Sequence, residues 1–291
     1  MTEVVYHDSR FSPMTAPPSR PPDQVRGEGE APALARLENV GKTFANGVVA
    51  LAGVNLEVRR GEFLSLLGPS GCGKSTILRL ISGLSSPTAG AIQWGEREHG
   101  IGFVFQEPTL MPWSSTFDNV WLPLRLAGVS REKARDRVDA ILHRVGLSGF
   151  EKVYPRELSG GMKMRVSIAR ALVTRPALLL MEEPFAALDE ITRTKLNDDL
   201  TALRLELGAT VVFVTHSVYE SVYLSTRIVV MAARPGRAVG EIAVDAPLPR
   251  NEEFRLSAAY AEKCGQTSLA LCAAMDLPPP GARARSGEAS T

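Results

Sequence analysis

Long hydrophobic runs are what this sequence most plainly lacks. No stretch approaches the roughly 18 consecutive apolar residues that a membrane-spanning helix needs. The N-terminus has no basic start followed by an apolar core, so it does not read as a secretory signal. Cysteine is scarce: Cys72, Cys264 and Cys272 are an odd number without metal-ligand spacing. They read as reduced thiols in a reducing compartment, not as a disulfide framework. Excess charge of either sign is also missing, with 33 basic residues against 32 acidic ones and a formal charge of +1. That balance supplies no strong field to attract nucleic acid or an acidic partner. No internal repeat is visible. The expectation is a cytoplasmic protein, or one held at a membrane only by partners.

What is present is the composition of a soluble globular protein, 44% apolar and 22% charged, in 291 residues that suffice for one large domain or two small ones. Residues 1–33 hold six prolines and few large apolar groups. They cannot bury enough surface to offset their ordering entropy, and they are expected to be disordered. The end, 276–291, reads the same way. Between the tails, short apolar runs alternate with helical patterns. "EFLSLLG" (Glu62 to Gly68), "IGFVFQ" (Ile101 to Gln106), "ALLLME" (Ala177 to Glu182), "TVVFVTH" (Thr210 to His216) and "RIVVMAA" (Arg227 to Ala233) predict strands of a parallel sheet covered on both faces. The earlier "ALARLENVGKTFANGVVALAGVNLEVRRGEF" suits antiparallel strands. Val138, Ile141, Leu142 and Val145 share one helical face, with Ser130 as N-cap and Gly146 after the end. Leu196, Leu200, Leu203 and Leu207 share another, stopped by Gly208. A helical extension is expected over 246–275.

The strongest motif is "GPSGCGKST": Gly68, Pro69, Ser70, Gly71, Cys72, Gly73, Lys74, Ser75 and Thr76. It fits G-x-x-x-x-G-K-[ST] between a strand and a helix. The glycines let successive backbone N–H groups turn toward phosphate oxygens, and the helix directs its positive end at the same anion. Lys74 can reach outer phosphates, and the Ser75 hydroxyl can ligate Mg²⁺. A second anion-type site is "LSGGM", where Ser159, Gly160 and Gly161 open a helix. Two phosphate-type sites in one domain make sense if two copies hold one nucleotide between them. "LLLMEEP" sets Glu182 and Glu183 side by side at a strand end, where two adjacent carboxylates call for a cation or a reacting group. His7, His99 and His143 have no such context and are assigned nothing.

With these motifs in order, residues 34–240 resemble the ATP-binding-cassette (ABC) family. The resemblance implies an α/β fold, a P-loop NTPase nucleotide-binding domain with a mainly parallel sheet core, an antiparallel β subdomain and a helical subdomain. It places that domain at 34–245, with the helical subdomain at about 107–165. Phe44 looks like the aromatic that stacks on adenine, Gln106 like the Q-loop and Ser159 with its glycines like the signature. "LLLMEEP" looks like the Walker B strand, Asp189 like the D-loop and His216 like the switch histidine. The resemblance implies a head-to-tail homodimer with each ATP between Lys74 of one copy and Ser159 of the other. It assigns catalysis to Glu183, His216, Gln106 and Lys74, and Mg²⁺ contacts to Ser75, Gln106 and Glu182.

Glu182 departs from the family pattern, which has Asp there. Its extra methylene sets the carboxylate about 1.5 Å farther out, and Mg²⁺ demands near-octahedral geometry, often with intervening waters. The expectation is a working but slower ATPase. The insert after Gln106 holds Trp113 and Trp121 among apolar neighbours. These are expected partly to pack internally and partly to line a groove for a helix of a partner, which family knowledge makes a separate transmembrane permease. "LMPWSSTFDNVWLPL", "PFAALDEITR" and "YLSTRIVVMAARPGR" look most like the nitrate/sulfonate/taurine-type importer ATPases. Relatives of that group handle thiamine-precursor pyrimidines and other small solutes, so the resemblance implies a nitrate/sulfonate/taurine-like or pyrimidine-like cargo. That likeness implies an extracytoplasmic solute-binding protein and a site at the cytoplasmic face of the inner membrane. The alternative is a non-transport or weakly hydrolysing regulatory ABC ATPase. The insert has no sustained heptads and the chain no basic face, which argues against the DNA-maintenance members and against nucleic acid as a partner.

Overall fold

The computed structural model describes residues 33–95 and 100–277. The two tails read as disordered lie outside the described residues, except Ala33, Asp276 and Leu277, and so do His7 and His99. The described residues open with β1 (Ala33–Thr43) and β2 (Val49–Arg59), an antiparallel pair. Next come β3 (Phe63–Leu67), α1 (Lys74–Ile81) and β4 (Ala89–Trp94), the last pairing antiparallel with the free edge of β1. These make a three-stranded layer in the order β2-β1-β4. β4 is absent from the reading of the sequence because its residues are exposed on both faces and carry no apolar alternation.

After β5 (Ile101–Val104), the helical segment holds α2 (Thr116–Leu126), α3 (Arg131–Arg144) and α4 (Gly160–Leu172). Ser115, Ser130 and Ser159 cap these three helices, each accepting from the N–H three residues on. Then follow β6 (Leu178–Glu182), α5 (Glu190–Leu207), β7 (Thr210–Thr215), α6 (Val218–Leu224), β8 (Arg227–Ala232) and β9 (Arg237–Ala243). The six-stranded sheet runs β5-β6-β7-β3-β8-β9, parallel except for the antiparallel edge strand β9.

β3, β6, β7 and β8 are buried at every position, which is why each reads as an unbroken apolar run. The period of two sorts their side chains between two cores. Phe63, Leu179, Met181, Val211 and Phe213 face a core shared with α2–α5, where Phe213 lies 5.7 Å from Phe63 and 5.9 Å from Phe185, centroid to centroid. Leu64, Leu66, Leu178, Leu180, Val212 and Val214 face α1 and the three-stranded layer. Each such buried side chain contributes about 1.5–3 kcal/mol.

The C-terminal extension is two helices, α7 (Glu252–Arg255) and α8 (Ala258–Ala274). The break falls at Leu256–Ser257 because the Ser257 hydroxyl starts a new helix by accepting from Tyr260 N–H. Arg250 anchors the extension. Its buried guanidinium donates to the carbonyls of Val222, Tyr223, Ser225 and Val244 at 2.7–3.0 Å. Desolvation, aided by Arg204, pushes its pKa down to about 10. Among the described residues no helix is long and apolar enough to cross a membrane.

Candidate active site

The parallel register of β5, β6, β7 and β3 brings four chain segments to one edge of the sheet, at the carboxyl ends of the strands, where open α/β sheets hold ligands. In order along that edge stand Gln106, two residues past β5, then Glu182 and Glu183 at the end of β6, then His216 just past β7, then loop 68–73 after β3.

Loop 68–73 enters α1 at Gly73, whose φ of 92° is left-handed. A Cβ there would stand 2.5 Å from the Leu51 side chain and 3.0 Å from Ala50 O, so glycine is what lets β2 pack against the loop. Among the described residues no side chain caps α1, and its first turn carries no acid, which leaves its leading N–H groups for an anion. Lys74 is 4% exposed, and its ammonium donates to Gly68 O at 2.7 Å and Pro69 O at 3.0 Å. Cys72 is fully buried beside it. Burial pushes that thiol up, an effect partly countered by the lysine charge. Ser75 and Thr76 are half-buried on the first turn of α1.

Glu182 is buried at 9% exposure, and among the described residues no group donates to its carboxylate or pairs with it. Glu183 leaves the sheet with φ 41°, while its N–H donates to Val214 O at 3.0 Å. Its Oε2 lies 3.2 Å from Nδ1 of the exposed His216.

The remaining expected residues are placed less directly. Ser159 caps α4 through Met162 N–H, and Gly160 and Gly161 lie against Leu188 and Thr192 at the start of α5. Asp189 caps α5, and the bond from Thr192 N–H pulls its carboxyl below the usual range. Ser159 makes no hydrogen bond to loop 68–73 among the described residues. Phe44 is exposed in the turn before β2, with the Lys42 ammonium 5.7 Å from its ring. Gln106 is exposed.

Two supports behind this edge escaped the sequence. Gly236, between β8 and β9, donates to Ala50 O, and a Cβ on it would meet Cys72 O at 2.3 Å. The hairpin therefore presses on the back of the phosphate loop. The second support is Glu220 on α6, which accepts from the Thr215 hydroxyl at 2.5 Å and lies 3.8 Å from Arg193 Nε. Arg193 in turn donates to Leu188 O, next to Asp189. A Glu four residues past a histidine carries no signal of this in one sequence.

A triphosphate with Mg²⁺ fits what is here: N–H groups without a side-chain cap, a buried ammonium turned into the loop, and the carboxylate of a buried glutamate that has no partner among the described residues. Sheet, antiparallel layer, helical insert and loop together define a P-loop nucleotide-binding cassette. Residues 51–186 match the family model described as ABC transporter. An uncharacterised ABC transporter ATP-binding protein of Methanocaldococcus jannaschii is 44% identical over 237 residues, 79% of this chain and 89% of that one. The aliphatic sulfonates import ATP-binding protein SsuB of Bacillus licheniformis is 47% identical over 218 residues, 72% and 84% of the two chains. The nitrate import ATP-binding protein NrtD of Synechocystis is 42% identical over 218 residues, 72% and 82%. Among solved structures, a dimeric ATP-binding cassette in a post-hydrolysis state with ADP and Pi matches with TM-score 0.65 at 35% identity, over 73% of this chain and 100% of that one. This chain belongs to the ATP-binding proteins of ABC transporters.

Proposed function

We propose that this chain is the ATP-hydrolysing subunit of a bacterial importer. Two copies close head-to-tail around two ATP, each held by residues 68–76 of one copy and by Ser159, Gly160, Gly161 and Asp189 of the other. The observation that carries this reading is the Glu183–His216 pair, just past the ends of β6 and β7, with β7 lying beside the strand that feeds the phosphate loop.

Glu183 takes a proton from water as the water oxygen bonds to the γ-phosphorus. The bond to the bridging oxygen breaks, and ADP and phosphate leave. His216, tied to Glu183 through Nδ1, keeps the water and the γ-phosphate aligned. Lys74 exchanges the carbonyls of Gly68 and Pro69 for the outer phosphates, and Phe44 stacks on adenine. When bound, Mg²⁺ neutralises phosphate charge as the bond breaks. Ser75, Gln106 and Glu182 are the groups to hold it, in keeping with an ion that takes few protein carboxylates.

The work is delivered to a separate transmembrane permease at the cytoplasmic face of the membrane. Trp113, 76% exposed, offers apolar surface for that contact, whereas Trp121 is spent internally, its indole donating to Val129 O. The sulfonate and nitrate importers among the relatives support a small-solute cargo of that kind, delivered by an extracytoplasmic binding protein. The test is phosphate release by the purified chain with Mg²⁺-ATP, together with sedimentation of Glu183→Gln with and without ATP. Turnover in the parent and ATP-driven dimers of the variant are expected. A chain that fails to retain nucleotide, and a variant that ATP fails to bring together as dimers, would refute the reading.

A further inference from the structure

Arg170 sits on the last turn of α4, outside every motif considered above. Its guanidinium reaches across to the loop that leaves Gln106. One nitrogen donates to Thr109 O at 2.9 Å, and another donates to Pro108 O at 2.8 Å and to the Thr109 hydroxyl at 3.0 Å. Burial lowers the affinity of this guanidinium for its proton, as expected for a cation that has exchanged water for three protein oxygens. Thr109 has φ 46°, a left-handed conformation that a β-branched residue adopts only when its surroundings impose it. Arg170 binds both the carbonyl and the side chain of that same residue. The fork therefore fixes a backbone state the loop would otherwise leave.

We propose that Arg170 is a positioning residue: it ties the loop carrying Gln106 to the helix that opens at Ser159, so that the two move as one body. α4 has Ser159 as its N-cap and Arg170 in its last turn. A shift of the Gln106 loop is thereby passed along one helix to the surface expected to meet the second copy. This rests on the nucleotide roles proposed for Gln106 and Ser159. The tether itself rests only on the observed bonds. Lysine cannot replace the fork, because an ammonium cannot span two carbonyls and a hydroxyl in one plane.

The test uses the full chain with Arg170→Ala and Arg170→Lys. Amide exchange over residues 107–111 is measured without nucleotide, and ATP hydrolysis is measured with Mg²⁺. Faster exchange confined to 107–111 is expected in both variants, larger for Ala. With it should come a fall in kcat of about tenfold for Ala and an intermediate fall for Lys, with KM for ATP within about twofold. Unchanged exchange, or kcat within about twofold of the parent, overturns the proposal, as does acceleration spread through the whole of α4. If Ala fails to fold, Lys decides by the same readings. A parent without ATPase activity sinks the proposed function instead, and exchange over 107–111 then judges the tether alone.

Discussion

Nδ1 of His216 and Oε2 of Glu183 lie 3.2 Å apart across the ends of two neighbouring parallel strands. The contact depends on an unfavourable backbone, because Glu183 holds φ 41°, a state that costs a non-glycine residue about 1–3 kcal/mol. The N–H bond to Val214 O and the bond from Ala186 N–H to Glu183 O keep it there. Glu183→Gln preserves shape and should retain ATP while losing turnover by about a hundredfold or more. Glu183→Gly should be equally inactive, yet more stable than Glu183→Gln by about 1 kcal/mol, because glycine accepts the left-handed state. Denaturant midpoints of the two variants, read beside phosphate release, separate strain kept for chemistry from strain without use.

Glu182, a buried residue at the same edge, has a carboxylate without a partner among the described residues. Asp would draw that carboxylate back by about one methylene, and Mg²⁺ responds to such shifts through its water shell. Glu182→Asp should lower the Mg²⁺ concentration for half-maximal hydrolysis and change kcat by no more than about tenfold. A parent inert at all Mg²⁺ concentrations, with turnover only in the Asp variant, would favour the regulatory alternative.

Gly236 tests the phosphate loop from behind. A Cβ 2.3 Å from Cys72 O cannot be accommodated without moving backbone on one side. Overpacking of this kind costs about 1–3 kcal/mol. If the loop yields first, Gly236→Ala should weaken ATP retention by about tenfold while the thermal midpoint moves little. Titration with a fluorescent ATP analogue against a melting curve decides. An unchanged affinity with a lower midpoint means the hairpin yields, and the loop is not braced by it.

The parts legible in the sequence are those whose cause is local. β3, β6, β7 and β8 announce themselves because all their residues are buried. The phosphate loop is legible because the turn, the lysine and the helix start are contiguous. Gly208 ends α5 in the left-handed conformation that its place in the sequence suggests. Long-range causes left no trace. β4 is a strand only because β1 offers it an edge, and α8 starts where a single serine can cap it. Gly236 looks like any turn glycine until the fold lays it on Cys72, and Arg170 like any exposed helical cation until Thr109 lies beneath it.

Glu220 supplies the pH dependence. Burial raises its pKa above the ordinary 4.5, an effect countered in part by the Thr215 hydroxyl, Arg193 and His216 and reinforced by Glu190. The folded state therefore binds this proton more tightly than the unfolded chain does. Above the raised pKa the folded state carries a desolvated carboxylate that unfolding would release to water, so this group opposes folding there. As pH falls through the raised value toward 4.5, the opposition disappears. Glu220→Gln removes the charge and can still accept from Thr215. It should be more stable than the parent at neutral pH, and the difference should shrink as the pH approaches the ordinary glutamate range. Denaturation midpoints of both proteins from neutral pH down to that range measure the sign. If the variant is instead the less stable one at neutral pH, the ion pair with Arg193 outweighs burial, and Glu220 joins α5 to α6 by charge.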